Sequence, residues 1–124
     1  MSDIYRRIEI HRLIAVLTKL LFGGHVMAWY FIADTYINEE KGRGEYDEYI
    51  NAVKPIVESY GGKYLVRTEN LQTLSGERNP QRIIVVRFED KSNLEACFAS
   101  DEYNMIVSKR KNNVDSRAVI AEGI

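Results

Sequence analysis

The chain has 124 residues, 45% hydrophobic and 28% charged, with 17 basic against 18 acidic side chains and a net charge of −1. That is the make-up of one soluble globular domain, long enough to bury a core without cross-links. It lacks the basic excess that a phosphate backbone rewards, so no nucleic-acid partner is expected.

The first element is "IYRRIEIHRLIAVLTKLLF", residues 4–22. Ile10, Leu13, Ile14, Leu17, Leu20 and Leu21 recur in steps of three and four, so one helix face is apolar. The unbroken apolar run Leu13–Leu17 falls far short of the roughly 20 residues that span a bilayer. Arg6 and Arg7 resemble a basic leader, but Lys19 interrupts the charge-free region a secretory signal needs. Residues 1–26 therefore read as an amphipathic helical extension. A disordered or non-native lead and a membrane-targeting segment are the alternatives. Gly23-Gly24 ends the helix.

The working domain spans residues 27–124. "AWYFIADTYI", residues 28–37, is aromatic and β-branched and reads as a strand. "NEEKGRG" is a loop. Tyr46, Tyr49, Ile50, Val53, Ile56, Val57 and Tyr60 then keep helical spacing around Pro55, and Gly61-Gly62 closes that helix. "KYLVRTE", residues 63–69, alternates as a second strand. "NLQTLSGERNPQ" is a long connection with room for a short hairpin, and "RIIVVRFE", residues 82–89, is the clearest strand. Ser92 and Glu95 have capping-box spacing before a helix, and Ser100 can cap another, carrying Tyr103, Ile106 and Val107 inward. Asn112-Asn113 ends it, and "SRAVIAEG", residues 116–123, is the last strand. The order βαββαβ predicts an α+β, ferredoxin-like fold: a four-stranded antiparallel sheet with two helices on one face.

Cys97 is the single cysteine, which precludes an internal disulfide and fits a reducing, cytoplasmic compartment. It reads as a small packing residue. No Cys/His zinc spacing, phosphate loop or nucleophile elbow is present, so neither a metal nor a cofactor is expected. Lys109-Arg110-Lys111 reads as the solvated end of a helix.

Alternation divides the strands into two faces. Trp29, Phe31, Ala33, Tyr64, Val66, Ile84, Val86, Phe88, Val119 and Ala121 form an apolar set expected to meet the helices. The other set mixes Tyr30, Ile32, Leu65, Val85 and Ile120 with Asp34, Tyr36, Arg67, Glu69, Arg87, Glu89 and Glu122. Its apolar members predict a cover, and a second copy packed sheet on sheet is the expected one. A partly polar cavity between the sheets would then hold the candidate site. Arg67 and Arg87 suit the forked recognition of a carboxylate or enolate, and Asp34 suits a base if burial raises its pKa. The candidate catalytic residues are Asp34 and Arg67. The candidate ligand contacts are Tyr30, Tyr36, Arg67, Arg87 and Glu89. Cross-strand charge pairing that only fixes register is the alternative reading of these charges.

From Met27 onward the chain resembles the bacterial family called domain of unknown function 1330. The likeness is carried by "YFIADTYI", "YDEYINAVKPIVESYGGKYLVR", "NPQRIIVVRFED", "FASDEYNMIVSKR" and "DSRAVIAEGI", including Tyr46, Tyr49, Pro55, Gly61, Gly62, Arg67, Pro80, Arg82, Ser100, Tyr103 and Arg110. The resemblance implies a ferredoxin-like fold paired into a dimeric α+β barrel, and it brings no known reaction. After Arg67 the family carries two glycines where this chain has Thr68 and Glu69. Three functions remain open: a cofactor-independent enzyme acting on a small organic acid or phenol-like compound, a non-catalytic ligand-binding or sensing dimer, and a structural or interaction protein.

Overall fold

The computed structural model describes residues 10, 12–14, 17 and 27–124. Its elements are β1 (Ala28–Tyr36), α1 (Tyr46–Ser59), β2 (Lys63–Thr68), β3 (Arg82–Phe88), α2 (Lys91–Ala99), α3 (Asp101–Ile106), α4 (Ser108–Lys111) and β4 (Asp115–Gly123). The fold is α+β. One four-stranded antiparallel sheet has the order β2-β3-β1-β4, the connectivity expected from the sequence. The 70–81 connection carries no strand, so the hairpin does not form. Residues 10, 12–14 and 17 are helical and exposed. The remaining positions of the 1–26 extension lie outside the described residues. Among those described, no helix is long and apolar enough to cross a membrane.

The core lies between the sheet and the helices. Phe88, Val86, Val57, Leu94 and Cys97 are buried at its centre. Each large apolar side chain there contributes about 1.5–3 kcal/mol. The Cys97 thiol is pushed up to about 11 by burial, as befits a packing residue. In α1, Tyr46, Tyr49, Val53 and Val57 face inward at helical spacing. Asp47 and Glu48 in the first turn suit the helix dipole. Gly61 takes φ +86°, and the amide of Gly62 donates to the Val57 carbonyl at 3.0 Å, which turns the chain into β2.

The caps differ in part from the expectation. Asp90, not Ser92, is the N-cap of α2, its carboxylate accepting from the Asn93 amide at 2.8 Å. The helix starts two residues earlier than the Ser92–Glu95 spacing implies, and Glu95 pairs with Lys91 instead. Ser100 does cap α3: its hydroxyl accepts from the Tyr103 amide and donates to the Cys97 carbonyl.

Two strands present other faces than simple alternation predicts. In β2, Tyr64 pairs with Val86 and Val66 with Val85, so Leu65 is the extra residue of a bulge. The slip carries Val66 to the outer face and Arg67, opposite Ile84, to the helix side. In β4, Ser116, Ala118 and Ile120 pair with Thr35, Ala33 and Phe31 on the helix side, while Val119 and Ala121 face outward. Residues 118–121 are all apolar, so the pattern there could not choose a face, and pairing with β1 decides it.

Candidate functional site

A cavity of about 330 Å³ opens between α1, α3–α4 and the helix side of the sheet. It falls at the small end of ligand-pocket sizes. Its walls are mostly apolar, with Phe31, Ile84, Val53 and Phe98 among them. Phe31 and Phe98 stack with centroids 4.4 Å apart, and Phe98 meets Tyr103 edge-on at 5.0 Å.

The polar lining is cationic and phenolic. Arg82, Thr35 and Ser116 lie in one row across β3, β1 and β4. The Thr35 and Ser116 hydroxyls are hydrogen-bonded to each other at 2.6 Å, and the Tyr46 hydroxyl donates to Thr35 Oγ1 at 3.4 Å. From the helices, the Tyr49 and Tyr103 hydroxyls meet at 3.1 Å, and Arg110 Nη2 donates to Tyr103 at 3.4 Å. Arg67 donates to the Ile50 carbonyl at 2.5 Å and lies over the Tyr64 ring at 5.2 Å. Burial, and then the neighbouring Tyr103, holds the Tyr49 phenol well above its ordinary value. Burial pushes Tyr64 up to about 12. Both phenols therefore stay protonated near neutral pH and act as hydrogen-bond donors.

Arg82 is the most confined of the charged lining residues. It is 7% exposed, its Nη1 stands 3.5 Å from Glu69, and its Nε has no hydrogen-bond partner. A buried guanidinium N–H without an acceptor costs about 1–3 kcal/mol and suits an incoming one. Among the described residues, no Asp, Glu, His or Cys lines the cavity.

Of the residues singled out from the sequence, only Arg67 reaches this cavity. The others stay on the outer face or its rim. Asp34 is bound by Arg78 through two hydrogen bonds of 2.7 and 3.0 Å, and Arg78 holds its carboxyl below the usual range, the reverse of what a base requires. Tyr30 donates to the Ile124 carbonyl, Tyr36 lies under Arg117 at 4.5 Å, Arg87 stands opposite Tyr30 and Glu89 is exposed. The cavity on the helix side of the sheet thus takes in Arg67, while the other expected residues stay on or beside the outer face.

The profile of the family described as "Domain of unknown function (DUF1330)" matches residues 28–124, nearly the whole described chain. The chain belongs to this family. No curated protein matches it. A solved structure from Rhodopseudomonas palustris, the protein of unknown function RPA0582, is similar at 14% identity and TM-score 0.64, over 88% of this chain and 92% of that one. The methylated RPA0582 protein gives 16% identity and TM-score 0.64, over 88% and 90%. These likenesses show the fold. Like the family, they leave the function to be argued from the cavity.

Two of its arginines, Arg82 and Arg110, had no clear signal in the sequence. Arg82 opens a strand, where a polar residue reads as a flank. Arg110 stands in a basic run whose Lys111 is exposed and whose Lys109 is paired with Glu48 at 2.6 Å and Glu45 at 3.3 Å. Arg110 turns to the cavity, and exposed Lys111 stands at its rim. One signal was available: three tyrosines, Tyr46, Tyr49 and Tyr103, stood at core positions, where buried phenols require polar partners.

Proposed function

We propose that this protein binds a small organic acid with an apolar body in the cavity between α1 and the sheet. The observation that carries the reading is the pairing of a largely apolar wall with Arg67, Arg82 and Arg110 and no lining carboxylate. Guanidiniums recognise carboxylates by charge-assisted, forked hydrogen bonds, and the phenols add neutral donors. Binding is favoured over acid–base catalysis because, among the described residues, no lining carboxylate, imidazole or thiol can accept a proton, and Tyr49 and Tyr64 resist giving theirs up.

Benzoate and benzamide, of equal shape but unequal charge, test this by calorimetric titration and thermal shift. Benzoate should bind and raise Tm, and benzamide should not. Arg82→Gln or Arg110→Gln should weaken benzoate binding about 10- to 100-fold, the worth of a hydrogen bond to a charged group. Equal binding of both compounds, or no binding across a panel of aromatic and aliphatic acids, overturns the reading.

The working form is a homodimer joined through the outer sheet face. Ile32, Val85, Val66 and Val119 give that face an apolar middle. At one end its charges are already paired within the chain, Asp34 with Arg78 and Asp115 with Arg117. A second copy can therefore approach without stranding those carboxylates.

A further inference from the structure

We infer that Glu69 is a resident counter-anion of Arg82, placed so that it weakens the cavity's hold on carboxylates and makes that hold selective. The inference rests on the reading of the cavity as an acid-binding site. Glu69 stands just past β2, beside Arg82 at the start of β3. Arg43, from the loop before α1, holds its carboxylate with two hydrogen bonds of 2.5 and 3.2 Å. Arg82 approaches the same carboxylate only to 3.5 Å, beyond a good charge-assisted contact. The acid is thus shared unequally, firm on Arg43 and loose on Arg82.

The exposures differ in the same sense. The Glu69 side chain is 42% exposed and that of Arg82 only 8%. The anion can yield while the cation stays fixed in the cavity wall. Arg43, then Arg82, keeps the Glu69 carboxyl below the usual range, so it is ionised at neutral pH. Asp47 shares Arg43 at 2.8 Å and is the other acid in this cluster. A ligand carboxylate meeting Arg82 therefore comes beside a like charge, and a guanidinium shared by two carboxylates holds each less well. Arg43 limits the effect by drawing Glu69 away. Carboxylates that engage Arg82 with both oxygens are admitted, and poorly matched anions are turned away.

The test is calorimetric titration of the whole chain with benzoate, and with benzamide as the neutral control. Glu69→Gln should tighten benzoate binding about tenfold, within the usual range of coupling between neighbouring sites. Arg43→Gln should loosen it several-fold, because Glu69 then falls fully to Arg82. Asp47→Asn removes the same charge a few ångströms away and should change it less than about twofold. A purely structural role for Glu69 would weaken binding in both Glu69→Gln and Arg43→Gln and would overturn the inference. So would an equal gain in Asp47→Asn. If Glu69→Gln does not fold, Glu69→Ala removes the same charge and takes its place, and it too must tighten benzoate binding for the inference to stand. Absence of benzoate binding in wild type and all three variants overturns the cavity reading itself, whereas wild-type binding unchanged in Glu69→Gln overturns only the role of Glu69.

Discussion

At the scale of single residues, close approach and charge make different demands. A Cβ at Gly62 would stand 2.5 Å from Val57 Cγ1, 2.8 Å from Phe88 Cζ and 3.0 Å from the Val57 carbonyl oxygen. Both side chains belong to the buried core, so neither can swing away. Gly62→Ala should cost about 1–3 kcal/mol by overpacking, read from urea unfolding. Gly76 has nothing within 4 Å, so Gly76→Ala should be close to neutral in the same measurement. Asp34 makes a pH-dependent case. Its folded pKa lies below the ordinary 3.8 because Arg78 donates to it. The pair therefore adds stability above about pH 4, and that stability is lost as pH falls through the folded value. Arg78 is mostly exposed, so Asp34→Asn should cost no more than about 1 kcal/mol at neutral pH and less in acid, below the folded value. An equal cost at both pH values would mean that Asp34 acts through packing rather than charge.

At the scale of elements, the bulge at Leu65 separates what could be read from what could not. Element types and their order were legible, because each long segment repeats its apolar residues with a definite period. The side to which β2 turns Arg67 was not, since one inserted residue inverts every position after it. The four apolar residues of β4 hid its register in the same way. Arg82 and Arg110 were obscured by ordinary surroundings, and the Thr35–Ser116 hydroxyl pair by lying 81 residues apart. Because Leu65 is the extra residue, its deletion should regularise β2 and leave Arg67 opposite Ile84. The shortened protein should keep benzoate binding within a few-fold and lose no more than about 2 kcal/mol, within the usual range for single changes. Loss of binding with an intact fold would show that the bulge itself aims Arg67.

At the scale of the whole molecule, the core seen among the described residues is built within residues 28–124, and helices α1–α4 lie on one face of the sheet. A chain shortened to residues 27–124 should therefore fold, with a cooperative urea transition. In the proposed dimer the outer face sets the assembly. Leu65 and Val119 are 50% and 60% exposed there, and Ile32 and Val85 lie on the two central strands. An apolar sheet face of this kind is costly to leave in water, and a twofold copy covers it with the same patch. Light scattering at micromolar concentration should give twice the chain mass for both the full and shortened proteins. A lysine at the centre of the face would place two like charges near the twofold axis while remaining harmless to a monomer, whose lysine would reach water. Ile32→Lys should accordingly yield a folded monomer, with benzoate affinity retained because the cavity lies on the opposite side of the sheet. A monomeric wild type would remove the dimer. A wild-type dimer that persists in Ile32→Lys would move its interface to another surface.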